Sequence, residues 1–150
     1  MACEFVSNQL MKYIAIQQIG VKFSRLAPNN IDVYDVGEIA KLVPYSGFEH
    51  RIVEFQPRSF AANHEHAHQE TVVAFGGELT LYYIQEDGQT KSLILNPTGA
   101  QKVLVTVQSH VKHAIVNHSP HPATLMYWTD TAPVEATKVM VFDPNSLHNT

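Results

Sequence analysis

One cysteine in 150 residues, Cys3, excludes an intrachain disulfide. The fold must therefore hold without covalent cross-links, and a reducing cytoplasm is the expected setting. Charge is sparse as well, at 16% Asp, Glu, Lys and Arg, with a formal net charge of −4 when the histidines are neutral. No stretch gathers lysines and arginines. Binding to a phosphate backbone needs clustered cations, so no nucleic-acid partner is expected. No apolar run approaches the ~20 residues that a membrane-crossing helix requires. From Met1 to Gly20, a basic start followed by an unbroken apolar stretch is missing, because Glu4, Asn8, Gln9, Lys12 and Gln17 interrupt it. Neither a secretory leader nor a membrane partner is expected. Internal repeats and low-complexity segments are absent.

What is present is an ordinary globular mixture, 45% apolar, over a length that suits one domain. The expected layout is a single domain over 1–150, with a barrel core at about 48–143 and an N-terminal arm over 1–30. The mixed apolar spacing of Phe5, Val6, Leu10, Met11, Ile14 and Ile19 fits a short amphipathic helix ending at Gly20; extended pairing with another subunit is the competing reading. From Ile31 onward the signals are short strands. The runs Arg51–Phe55, Thr71–Phe75, Leu79–Gln85, Lys91–Leu95, Lys102–Val107, His113–Asn117, Thr124–Thr129 and Lys138–Phe142 are rich in residues that suit a pleated surface. Between them stand Gly76-Gly77, Asp87-Gly88, Asn96-Pro97-Thr98-Gly99 and Ser119–Pro122. Asp87-Gly88 is the strongest turn signal, since both residues accept positive φ. Pro144–Thr150 is expected to fray. Regularly spaced short strands predict an all-β sandwich or barrel.

Nine histidines are placed unevenly. His64, His66 and His68 sit together; His110, His113, His118 and His121 form a second group. On a regular strand, alternate side chains share a face, so His64 and His66 point one way and Glu70 shares their parity. Two imidazoles and a carboxylate on one inward face suit a first-row divalent metal. One strand cannot surround an ion. His113, which opens the apolar run His113-Ala114-Ile115-Val116-Asn117, is the obvious further ligand.

This pattern resembles the cupin superfamily. Its first motif, G-x5-H-x-H-x3-E-x6-G, is met by His64, His66, Glu70 and Gly77. The end of its second motif, G-x5-P-x-G-x2-H-x3-N, is met by His113 and Asn117. The resemblance covers about residues 51–129. It implies a double-stranded β-barrel, or jelly roll, with a short N-terminal helix or arm. It also implies a divalent metal cofactor (zinc, iron, manganese or nickel) held by His64, His66, Glu70 and His113. There are departures. Arg58 stands at the leading glycine of the first motif, and Lys102, Gln108 and His110 replace Gly, Pro and Gly of the second. The turn before His113 should therefore be built differently.

Around the centre, His68 shares the parity of its neighbours and either lines the pocket as a base or turns outward. His110 is expected in a loop, His118 and His121 in solvent, Asn117 in a structural role, and Trp128 and Phe75 in the core. Tyr82, Tyr83 and Tyr127 lie on barrel strands. Tyr82 and Tyr83 have opposite parity, so only one faces inward. The candidate catalytic residues are His68, Tyr82 and Tyr127. A metal with open positions acts as a Lewis acid or activates bound water. That favours a metal-dependent enzyme on a small polar metabolite, a sugar or keto acid, by isomerase, lyase or dioxygenase chemistry. The layout is also similar to small cupin sugar-nucleotide ketoisomerases, in which a metal-free histidine pair, here His64 and His66, does acid–base work. A non-catalytic module binding a small-molecule ligand is the third reading. A homodimer is expected, since two-fold pairing is the commonest assembly.

Overall fold

The computed structural model describes residues 12–19, 23–26, 31–34, 36–45, 47–95 and 102–148. The strands are β1 (Ile14–Ile19), β2 (Phe23–Leu26), β3 (Ile31–Tyr34), β4 (Glu49–Phe55), β5 (Ser59–Glu65), β6 (Glu70–Phe75), β7 (Thr80–Ile84), β8 (Thr90–Ile94), β9 (Lys102–Val107), β10 (His113–Asn117), β11 (Ala123–Thr129) and β12 (Thr137–Lys138); one short helix, α1, spans Val36–Ala40. They form two five-stranded antiparallel sheets, ordered β1-β9-β6-β11-β4 and β12-β5-β10-β7-β8, plus a β2–β3 hairpin. The β7–β8 hairpin turns at Asp87-Gly88 as its residues dictate. Gly88 has φ +82, and Asp87 Oδ1 accepts from the Gln89 amide at 2.9 Å.

Alternation along the strands divides the apolar residues between one interior and two outer layers. Ile14, Ile16, Val72, Ala74, Leu81, Tyr83, Val105, Val107, Ile115 and Leu125 face each other across the sheets as the main core. Residues of opposite parity on the first sheet, Val73, Leu104 and Trp128, would be left in water. Each such side chain is worth roughly 1.5–3 kcal/mol when buried. Ile39 of α1 and Val43 after it cover them. Tyr45 locks that cover, its hydroxyl 2.7 Å from Thr71 Oγ1 and donating to the Trp128 carbonyl at 3.1 Å. On the second sheet, Ala114 and Val116 face outward and are covered by Phe142 and Leu147.

Several expectations change. The helix expected over Phe5–Ile19 is a strand at Ile14–Ile19, paired with β9 of the same chain; Phe5 to Met11 and Gly20 lie outside the described residues, as does the Asn96–Gly99 turn. The buried pattern of β1, with Ile14 and Ile16 inward, answers to a free edge of β9, and that pairing outweighs a weak helical periodicity. The expected strand Lys138–Phe142 is cut to Thr137–Lys138. Beyond it, the amides of Val141 and Phe142 are taken by a side chain, Asn63 Oδ1, at 3.1 and 2.9 Å rather than by a ladder. Pro144–His148, expected to fray, is a 3-10 turn that buries Leu147; residues 149–150 lie outside the described residues.

Asn63 is the pivot of a bulge. β10 pairs His113 with His64 but Ala114 with Ala62, so Asn63 has no partner in that ladder. Ala62 and Asn63 have φ +74 and +54, a conformation Asn tolerates well. The freed side chain donates to the Phe142 carbonyl at 2.9 Å and accepts the two amides above. Replacing Asn63 with Ala leaves those groups unpaired in a half-buried place. Denaturant unfolding should show a loss of about 2–4 kcal/mol. Asn63→Gly should lose less, because glycine accepts the positive φ.

Candidate metal centre

The residues of the histidine-rich stretch do not lie on one strand. β5 ends at Glu65, residues 66–69 cross from the second sheet to the first, and Glu70 opens β6. The shared parity expected for His64, His66 and Glu70 is therefore replaced by a corner. His64 comes from a strand end, His66 from the crossing, Glu70 from the facing sheet. His113 opens β10 between β5 and β7, opposite both His64 and Tyr83. The extra residue at Asn63 sets the register that puts His64 beside His113.

The three imidazoles of His64, His66 and His113 form an equilateral set, with ring centroids 4.9 Å apart in every pair and planes inclined by 68–79°. Their nitrogens lie within 4.8 Å of one another. Backbone carbonyls fix two of the tautomers. His66 Nδ1 donates to the His68 carbonyl at 2.8 Å, and His113 Nδ1 to the Val111 carbonyl at 2.7 Å. Each Nε2 then presents a lone pair, and both are buried without a hydrogen-bond partner. Outer carbonyls orienting a ring in this way are what metal-binding imidazoles commonly have. Glu70 Oε2 stands 3.6 Å from His66 Nε2, a charge contact too long for a hydrogen bond. The three converging imidazole nitrogens could hold a divalent transition ion, and Glu70 adds a carboxylate beside His66.

His66, His68 and Glu70 form a second close group. The rings of His66 and His68 are stacked at 3.7 Å and 5°. Lone pairs in the planes of parallel rings run parallel and do not converge on an ion ~2.1 Å away. His68 thus lies behind the triad, buried, with its Nδ1 unpartnered.

Electrostatics keep His64, His68 and His113 neutral and draw His66 toward its charged form. Burial, then the neighbouring His113 and His66, push His64 down to about 4. Burial lowers His113 and His68 too. Burial also acts to lower His66, but the Glu70 carboxylate outweighs it and leaves His66 raised. Burial would raise Glu70; the surrounding imidazoles, His66 first, hold it below the usual carboxylate range.

Elsewhere the expectations divide. Tyr82, a candidate catalytic residue, faces away. It packs against Phe142 on the outer layer, its hydroxyl 2.8 Å from His118 Nε2. Tyr83 is the inward one, and its signal was available as the opposite parity to Tyr82. Tyr127 packs on the interior core. His110 is in the turn before His113 and its amide donates to the His66 carbonyl at 2.7 Å. That turn keeps a left-handed residue where the motif has glycine, since His110 has φ +62; Arg58, at the other missing glycine, has φ +55. The conformation survives the substitutions, contrary to the expectation of a different turn. His118 and His121 are exposed. Asn117 is structural, donating to the Gln56 and His121 carbonyls at 3.1 and 2.8 Å. Gly77 is required, because a Cβ there would lie 2.6 Å from that of Ala123.

No protein-family model matches the chain, and no curated protein matches its sequence. Solved structures do match. A dTDP sugar isomerase from Desulfovibrio desulfuricans is similar with a TM-score of 0.65 and 16% identity, over 86% of each chain. The 3,4-ketoisomerase QdtA from Thermoanaerobacterium thermosaccharolyticum, solved as a mutant with TDP-4-keto-6-deoxyglucose, is similar at 0.58 and 14%, over 82% of this chain and 83% of that one. An oxalate oxidase is similar at 0.51 and 16%, over 60% of this chain and 45% of the other. The chain has the cupin fold. No helix among the described residues is long and apolar enough to cross a membrane.

Between its folded value of about 4 and the ordinary 6.5, His64 is protonated in the unfolded chain and neutral in the folded one. The unfolded state binds more protons there, so the contribution of His64 to stability is fully present above pH 6.5 and is lost as the pH drops toward 4. Thermal or urea unfolding of the chelator-treated protein should show that decline, on the order of 1–3 kcal/mol from His64. His64→Asn should flatten it.

Proposed function

We propose that the chain is a metal-dependent cupin enzyme in which His64, His66, His113 and Glu70 hold one divalent ion beside a site for a small polar metabolite, a sugar or a keto acid. The observation that carries this reading is the pair of buried, unpartnered Nε2 atoms on His66 and His113. Leaving a buried acceptor unsatisfied costs about 1–3 kcal/mol each. Here the neighbouring carbonyls force both lone pairs inward, toward His64. A divalent ion, whether zinc, iron, manganese or nickel, supplies Lewis acidity and open coordination positions when bound.

The chain's own residues then divide the work. Glu70 contributes the one negative charge among the four donors. Its carboxylate stays ionised because the imidazoles hold its pKa down. His68 is the proton carrier: its ring is neutral near pH 7, unpartnered at Nδ1, and braced flat against His66. Such a base can take a proton from a carbon or hydroxyl next to a polarised carbonyl. Tyr127, from the facing sheet, presents a hydroxyl for orienting the ligand. The interior core residues beneath keep bulk water from the far side.

A second reading has specific support: two of the similar solved structures are sugar-nucleotide isomerases. In that reading His64 and His66 act without a metal as an acid–base pair. The metal reading is preferred because it uses His113 and Glu70, which the histidine pair alone leaves idle.

Plasma mass spectrometry on protein purified without a tag or metal column should find near-stoichiometric transition metal. The double variant His66→Ala/His113→Ala should bind it more than about 100-fold more weakly. Protein that holds no ion, even after incubation with zinc, iron, manganese and nickel, overturns the metal reading. Binding of a dTDP-sugar to that metal-free protein would support the histidine-pair isomerase.

A further inference from the structure

β4 carries an ion pair that neither the core nor the metal centre uses. Val53 and Phe55 pack into the interior core, so Arg51 and Glu49 share their inward face. His50, of opposite parity, lies against the outward Trp128. Lys102 shares the parity of Leu104, which packs in the outer layer. Arg51 is therefore the only Lys or Arg on that sheet, among the described residues, whose strand position faces the interior.

Register places Arg51 near the centre. It stands opposite Tyr127, which stands opposite Val72; the next inward row toward the mouth is Glu49, Thr129 and Glu70. Two strand spacings and two residues separate the Arg51 and Glu70 Cα positions by about 12 Å. An extended arginine and a ligand of a few carbons fill that span together. Arg51 Nε is paired with Glu49 Oε1, which draws the guanidinium toward the row of Glu70. The Arg51 side chain is 64% exposed, against 17% for Glu49, and it interacts with the Tyr127 hydroxyl, so a ligand can reach the two groups together.

The pair is a poor stabiliser. An ion pair with so exposed a partner is worth about 0–1 kcal/mol. Its arrangement is better suited to holding a guanidinium ready for an anion.

We propose that Arg51, assisted by the Tyr127 hydroxyl, anchors the substrate, and that the substrate is a small 2-oxo or 2-hydroxy acid whose carboxylate pairs with the guanidinium and whose oxygen-bearing carbon lies toward His64, His66 and His113. This narrows the substrate class of the function proposed above and rests on that reading. The planar fork of an arginine matches carboxylate and phosphate alike. A dianion is disfavoured here, because Glu49 and Glu70 crowd a single cation, and Asp130 stands close by at the Gln69 amide. One negative charge suits the site.

The test is calorimetric titration of zinc-incubated, tag-free protein with pyruvate, with pyruvamide as its uncharged counterpart and inorganic phosphate as the alternative anion. Zinc content is measured in parallel. The unaltered protein should bind pyruvate at least about tenfold more tightly than pyruvamide or phosphate. Arg51→Ala should remove that preference, Arg51→Lys should keep part of it, and Tyr127→Phe should weaken pyruvate a few-fold, all with unchanged zinc content. If Arg51→Ala does not fold, Arg51→Gln carries the comparison. The proposal is overturned if the unaltered protein fails to bind pyruvate at millimolar concentration, prefers phosphate, or binds pyruvate equally well without Arg51. Zinc content separates the two ideas. Arg51-dependent pyruvate binding in protein that takes up no zinc supports the anchor and sinks the metal reading, while stoichiometric zinc with Arg51-independent binding does the reverse.

Discussion

Two backbone carbonyls set the chemistry of the centre. The carbonyl of His68 takes the Nδ1 proton of His66, and that of Val111 takes the Nδ1 proton of His113. Each bond fixes a tautomer and a ring plane, and each forces a lone pair into the space the rings enclose. Neither carbonyl is free to be elsewhere. His68 lies in the short crossing between sheets, and Val111 in the turn that His110 closes with a left-handed backbone. The amide of His110 in turn binds the carbonyl of His66. The two loops that carry the rings are thus tied to each other, so the spacing of the imidazoles is a property of the backbone rather than of the side chains alone.

The rest of the fold keeps that corner rigid. A five-stranded sheet on each side brings an interior apolar layer up to the floor of the site, and covers on both outer faces hold the sheets in place. The first cover is pinned by Tyr45 through Thr71, whose hydroxyl lies 2.8 Å from that of Thr106. The second is pinned by Asn63, and here fold and site meet directly. The same bulge that holds Val141 and Phe142 also shifts the β5–β10 register to bring His64 beside His113. Loss of the bulge would cost stability and misplace a ring at once.

The structures this chain resembles include sugar isomerases and an oxalate oxidase, so architecture alone does not choose a chemistry. Local features weigh more. Stacked rings exclude His68 from the ion that His66 would bind, and leave it available as a base. Among the described residues, Arg51 is the one Lys or Arg on the first sheet whose strand position faces the interior, and Glu49 and Glu70 stand in the next inward row.

The sequence by itself determined the strand-rich class, the interval His64 to Glu70 and the pairing of that interval with His113, because turn residues, β-branched runs and donor types are local properties. It also marked Asn117 as structural and Asp87-Gly88 as a hairpin. Parity, read along one imagined strand, does not describe how His64, His66 and Glu70 come together, since the chain leaves β5 after Glu65 and enters the other sheet at Glu70. Ile14–Ile19 read as helix because nothing local reports the open edge of β9. The choice between Tyr82 and Tyr83 required the cross-strand neighbour of His113, and the place of Arg51 required the register of β4 on β11. Only the tertiary structure decided these points, because which face of a strand is inside, and what lies across from it, is set by strands distant in the chain.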